Sequence, residues 1–218
     1  LAGAYYERTG DQAFITQIWP NIVLALQWID RAGDLDGDGF VEYSRRSKGG
    51  LIHQGWKDSQ DAVFHADGRQ AEGSIALCEV QGYVFAAKRS AACLALVLGR
   101  TKQARQLLKE ADTLQTQFER NFWCNDLSLY ALALDGFKQP CRVMTSNAGH
   151  CLWTGIADQK HGMRTAKTLV GREFFNGWGV RTVAATETRF NPMAYHNGSV
   201  WPHDNALIAA GMAAYGFK

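Results

Sequence analysis

Beyond the stop glycine Gly99, only Arg100 and Thr101 separate two long helical patterns. Upstream, residues 75–98 are almost continuously apolar, with Ser74 placed to cap the start and Gly99 to stop the end. Downstream, residues 102–122 repeat apolar side chains at Ala104, Leu107, Leu108, Ala111, Leu114, Phe118 and Phe122, with Lys, Gln, Glu and Asp between them. That spacing is one face of a 3.6-residue period. So short a connection obliges the two helices to lie antiparallel against each other. The chain is therefore built around an αα-hairpin.

The rest of the sequence repeats the theme. Residues 11–29 carry Ile15, Ile18, Trp19, Ile22, Leu26 and Ile29 on one face, with Pro20 as a kink or restart and Gly33 as the stop. Residues 147–157 and 162–170 predict a second helix pair, and residues 199–215 a last helix with Ser199 as its cap. Between them, residues 129–134 predict a strand turned by Asp135-Gly136, with a partner near residues 142–144. Residues 174–192 form a long, irregular, glycine-containing loop. Helix pairs joined by alternately short and long loops predict an all-α fold, an incomplete (α/α)6 toroid with a small β-hairpin, whose long loops ring a central pocket. A plain helical bundle or solenoid is the competing arrangement. The first residue is not methionine and the last residues close an apolar helix, so residues 1–218 are expected to be a partial domain, truncated at both ends. A cut toroid would leave apolar helix faces exposed for self-association.

Composition excludes several function classes. With 46% hydrophobic and 20% charged residues the chain is globular. A net charge of +2 gives nucleic-acid binding no support, and no apolar run approaches a membrane span. The five cysteines (Cys78, Cys93, Cys124, Cys141, Cys151) fit neither CxxC nor a disulfide framework. They predict buried free thiols in a reducing compartment, hence a cytoplasmic protein.

Two stretches carry candidate chemistry. "DLDGDGFVEYSR" sets Asp34, Asp36, Asp38 and Glu42 at alternating positions of a calcium-type loop, with Gly39 at the sharp turn. Arg45 stands where the bidentate glutamate should be, so an acidic turn without metal competes with a structural Ca2+ site. "GWKDSQDAVFHADG" crowds Trp56, Asp58 and Asp61 together. Glycoside hydrolysis needs two carboxyl groups flanking the scissile bond, one held protonated. Asp58 and Asp61 can face one pocket, Trp56 can stack on a sugar ring, and Gln54 and Lys57 can bind hydroxyls. Glu79, set in the apolar run "IALCEVQGYVF", either serves this pocket or is neutralised by a buried partner.

Three separated segments, "HQGWKDSQDAVFHADG", "IALCEVQGYVFAAK" and "RFNPMAYHNGSVWPHDNALI", together resemble the bacterial amylo-α-1,6-glucosidase, or glycogen-debranching-like, glycoside hydrolases. Their (α/α)6 catalytic domain is shared with trehalases, processing α-glucosidase I and the mannosylglycerate and glucosylglycerate hydrolases. "GDLDGDGFVEY" is similar to a loop that holds calcium in some members. The resemblance implies an inverting hydrolase of terminal α-glucosidic bonds, with an oligosaccharide or small glucoside as substrate and no required cofactor. Asp61 matches the trehalase-like position of the general acid. Asp58 resembles the "WMD" aspartate of eukaryotic-type debranching enzymes. Asp61 is taken as the acid and Asp58 as a sugar-binding or pKa-tuning neighbour. Glu79, Trp56 and Gln54 would contact the non-reducing glucose, and His196, Trp201 and Asp204 would line the far wall. The family's base is a glutamate beyond the last tryptophan motif. Glu187 does not match it, so the base is expected to be missing from this chain. A trehalase or glucosylglycerate-type hydrolase of the same fold is the first alternative. A non-catalytic carbohydrate-binding helical module and a calcium-dependent binding protein are alternatives of another class.

Overall fold

The computed structural model describes residues 1–217. Seven α-helices dominate these residues: α1 (Ala2–Thr9), α2 (Gln12–Trp28), α3 (Cys78–Val97), α4 (Thr101–Phe122), α5 (Asn147–Thr154), α6 (Gln159–Leu169) and α7 (Pro202–Ala214). Four two-residue strands complete the elements: β1 (Ala76–Leu77), β2 (Trp123–Cys124), β3 (Leu129–Tyr130) and β4 (Ala133–Leu134). The expected αα-hairpin is there, with α3 packed most extensively on α4. On its other sides α3 meets α5, α1 and α2, and α5 in turn meets α7. No helix among the described residues is long and apolar enough to cross a membrane.

The core follows from the amphipathic stripes. Ala111, Leu114, Phe118 and Phe122 of α4 are buried against Val84 and Phe85 of α3 and Phe40 of the acidic loop. Phe118 and Phe122 stack at 4.7 Å, and Phe40 meets Phe122 edge-on at 5.2 Å. A separate cluster ties Ile15 and Trp19 of α2 to Ala92 and Ala95 of α3. Pro20 sits inside α2 without ending it, and a π-turn at Ile29–Gly33 follows.

Several boundaries differ from expectation. Helix α3 starts at Cys78, not after Ser74, because Ala76–Leu77 are extended and pair with Ala133–Leu134. Residues 129–134 are two strands, not one: Leu129–Tyr130 pair back to Trp123–Cys124, closing the small β-hairpin. The return partner of residues 132–134 is Pro140–Cys141, earlier than residues 142–144. Ser199 does not cap α7. Its Oγ donates to the Tyr195 carbonyl, and α7 begins with Trp201 at the cap position and Pro202 in the first turn. Of the five free thiols, Cys93 is exposed and the other four are buried.

Two glycines set the geometry that matters for the site. A Cβ on Gly211 would lie 2.5 Å from the Trp153 backbone nitrogen, and one on Gly149 would collide with the Ile208 side chain. Glycine at both places lets α5 and α7 approach closely enough for His150 to meet Asp204.

Candidate active site

Trp56 is the hub of an aromatic and charged cluster. Its ring is parallel to that of His150 at 5.7 Å, and His196, Trp201 and His203 stand edge-on at 5.1–6.1 Å. The contributing segments are the loop at residues 54–61, the start of α3, helix α5 and the "YHNGSVWPHD" segment leading into α7. These are the regions in which the sequence placed its candidate site, and the fold brings most of them together.

Beneath Trp56 lies a buried relay. His150 Nε2 is 2.7 Å from Asp204 Oδ1, with both side chains at most 1% exposed, and its Nδ1 is 2.5 Å from the Tyr83 hydroxyl. Asp204, expected on the far wall, is buried and partners His150 through Oδ1, with Oδ2 unbonded. Neither His150 nor Tyr83 was a sequence candidate. The polar run "SNAGH" at the start of α5, buried throughout, was the available signal.

Lys57 and Glu79 are the buried charges. Lys57 is buried and donates to the Thr182 carbonyl at 2.6 Å, which uses one of its three N–H donors. Its ammonium also lies 5.2 Å from the Trp56 ring. Burial pushes its pKa down to about 8, while Asp204 and Glu79 pull it back up. Glu79 is fully buried at the start of α3. Burial pushes its carboxyl above the usual carboxylate range, with Asn147, His150 and Lys57 beside it acting in the other direction. A Cβ on Gly55 would come 3.1 Å from Glu79 Oε1, so glycine there lets the Trp56 loop close over the carboxylate.

The paired aspartates stand at the rim. Asp61 Oδ2 accepts from the Asn197 side-chain amide at 2.9 Å, and Asn197 also donates to the Asp61 carbonyl. Asp58 is 53% exposed, with Oδ1 3.9 Å from His196 Nδ1. His196 is buried, its Nδ1 is 2.7 Å from Ser59 Oγ, and burial pushes its pKa down. Trp201 stacks on His196 at 5.3 Å and donates from Nε1 to the Tyr195 carbonyl. His203 is exposed. Gln54 does not join the cluster. Its amide lies 3.4 Å from the Ser44 carbonyl, and the side chain lines a neighbouring cleft of about 490 Å³ with Trp28, Tyr43 and Leu77.

Six buried polar atoms in this cluster have no hydrogen-bond partner: Trp56 Nε1, Glu79 Oε1, Asn147 Nδ2 and Oδ1, Asn197 Oδ1 and Asp204 Oδ2. Each costs about 1–3 kcal/mol when left unmade. The late glutamate, Glu187, accepts from the Met144 amide at 3.0 Å and braces its loop. The acidic loop lies elsewhere. Asp34, Asp36 and Asp38 bring one carboxylate oxygen each within 4.8 Å of one another. Glu42 does not complete that set as the calcium-loop pattern required: Lys138 bonds Asp36, Asp38 and Glu42 instead.

The helix pairs bring carboxylates and stacked aromatics together in their loops. Solved structures share this fold. The GH63 mannosylglycerate hydrolase from Thermus thermophilus, in complex with Tris, superposes with a TM-score of 0.74 at 17% identity, over 99% of this chain and 63% of that one. A sialidase gives 0.72 at 17% identity, over 95% of this chain and 18% of that one. The neutral trehalase from Saccharomyces cerevisiae gives 0.56 at 11% identity, over 66% and 28%. The fold is thus that of the (α/α)6 glycosidases, and the chain spans less than two thirds of each of these structures. Residues 1–218 match the mannosylglycerate hydrolase MGH1-like glycoside hydrolase domain, and the chain belongs to that family. The match is to a glycoside hydrolase domain, not specifically to amylo-α-1,6-glucosidases. No curated protein matches the sequence.

Proposed function

We propose that this domain is the acid-bearing part of an inverting α-glycosidase that removes a terminal α-linked hexose from a short glycoside. One observation carries the reading. Buried donors and acceptors without partners surround the Trp56 ring. A pyranose offers what they lack: an apolar face for the indole and hydroxyls for Glu79, Asp204, Asn197 and the Trp56 N–H.

Asp61 is the proposed general acid. Asn197 fixes one carboxyl oxygen, and Oδ1 makes no hydrogen bond among the described residues, leaving it to deliver the proton to the leaving oxygen. Asp58, two residues beyond the Trp56 platform, is placed to accept from a substrate hydroxyl. An inverting mechanism needs a second carboxylate to activate water from the opposite face. Glu187 is committed to the Met144 amide and is not offered for that role. The family's description favours a mannosylglycerate-type substrate, with a glucosylglycerate type as the alternative from the motif resemblance. Debranching of α-1,6 linkages rests on the motif resemblance alone.

The test is hydrolysis by the full-length gene product of mannosylglycerate, glucosylglycerate, trehalose, isomaltose and a branched dextrin, with the product anomer read by NMR. The reading predicts release of the β-anomer from one of the glycerate glycosides and loss of turnover in Asp61→Asn. Turnover lost in Asp58→Asn but retained in Asp61→Asn would move the acid to Asp58. Release of the α-anomer would exclude inversion.

A further inference from the structure

The loop from Asp34 to Glu42 has the pattern of a cation loop, and it already holds a cation of the chain's own. Lys138 comes from the turn after β4, 96 residues beyond Glu42. Its Nζ lies 2.7 Å from Asp36 Oδ2 and 2.7 Å from Asp38 Oδ2, and it donates to Glu42 Oε1, whose side chain is 1% exposed. The other aspartate oxygens are taken by the loop backbone. Asp34 accepts from the Gly37 and Gly39 amides at 2.7 and 3.0 Å, Asp36 from Asp38 at 3.3 Å, and Asp38 from Phe40 at 2.9 Å. A divalent ion here would need the oxygens that Lys138 holds and would press against an ammonium.

The turn is shaped for this delivery. Lys138 has φ 59°, a left-handed conformation that non-glycine residues rarely adopt. Asp135 Oδ1 secures the turn by accepting from the Phe137 and Gln139 amides, both at 2.9 Å. The lysine also ties the loop to the site. Val41, beside Glu42, exchanges two hydrogen bonds of 2.8–2.9 Å with the Gln81 side chain, two residues past Glu79. Strand β4, just before the turn, pairs with β1, which leads directly into Glu79.

We propose that Lys138 is the built-in cation of this loop, making it metal-independent in the native protein, and that removing the lysine converts the loop into a calcium site. Without the ammonium, Asp36 and Asp38 each regain an oxygen beside Asp34, and Glu42 regains the oxygen that it shares with them through Lys138. Glu42 Oε2, buried and without a partner, adds a further ligand atom. Such a loop would bind calcium with a dissociation constant on the order of 10⁻⁴–10⁻³ M.

The experiment compares wild type and Lys138→Met by calorimetric calcium titration and by melting temperature in EDTA and in millimolar calcium. The wild type should give no binding heat and one melting temperature in both media. Lys138→Met should melt lower in EDTA, bind calcium and recover stability with it. Wild-type calcium binding that Asp36→Asn abolishes would overturn the proposal. So would a Lys138→Met protein as stable as wild type in EDTA. If Lys138→Met yields no folded protein, Lys138→Arg decides: a folded, calcium-indifferent protein supports the charge argument, and failure to fold contradicts it.

Discussion

The Trp56 cluster and the acidic loop are both dense in charge, yet they are organised in opposite ways. In the loop, every aspartate has a partner: backbone amides take one set of oxygens, and Lys138 bonds Asp36, Asp38 and Glu42, leaving only Glu42 Oε2 unbonded among these carboxylates. Around Trp56 the burial is deeper and the pairing less complete, with Glu79, Asp204 and Asn197 each left with an unbonded buried atom. Charges paired near the surface contribute modestly to stability. Polar atoms buried without partners lower stability and persist where something else supplies the missing bonds. The contrast separates a brace from a site.

The largest expected effect that sharpens this contrast is on turnover. Asp61→Asn in the full-length protein should reduce the rate about 10²–10⁴-fold, the usual contribution of a positioned acid, with folding unchanged because Asp61 is exposed. Next is His150→Ala. It leaves Asp204 buried and without its hydrogen-bond partner, so unfolding free energy should fall by about 1–3 kcal/mol in denaturant titration. An effect below that range would mean that Asp204 is already solvated, and the contrast would weaken.

Glu79→Gln should act in the opposite direction. The Glu79 carboxyl has a higher pKa folded than unfolded, because burial disfavours the charged form. Its contribution to stability is therefore full below the ordinary value of 4.5 and is lost as pH rises through the folded pKa. At neutral pH the glutamine protein should be the more stable by about 1–3 kcal/mol, the range for one unmade buried polar contact. The gap should close on acidification, as read by denaturant titrations across pH. A gap independent of pH would contradict the assignment of Glu79 as a desolvated acid. The brace comes last: in EDTA, Lys138→Met should lower stability by about 0.2–1 kcal/mol for each of its three lost pairs.

The sequence discloses the parts of this molecule that depend on local pattern. The αα-hairpin follows from two apolar stripes and a short link, and α7 from the apolar run before Tyr215. Trp56 and Glu79 stood out for the same reason: a carboxylate inside an apolar helix and a tryptophan among aspartates break the local pattern. The His150–Asp204 pair was hidden because its members are 54 residues apart and meet only through the close approach that Gly149 and Gly211 allow. Lys138 was hidden likewise, since its turn geometry and its partners in the acidic loop are invisible to periodicity. Ser74 and Ser199 were misread as caps because strand pairing and a loop carbonyl claim them or their neighbours first.

The most direct test of the central claim is saccharide binding to the intact chain. Mannose, glucose and their glycerate glycosides would be titrated while tryptophan emission and melting temperature are followed, with Trp56→Ala and Asp204→Asn alongside. If the unpartnered atoms form a sugar site, at least one saccharide raises the melting temperature and perturbs the emission, and both substitutions abolish the stabilisation. At a concentration about 100 times the dissociation constant the stabilisation should be about 2.7 kcal/mol. Stabilisation that survives both substitutions, or none with any of these ligands, would contradict the account.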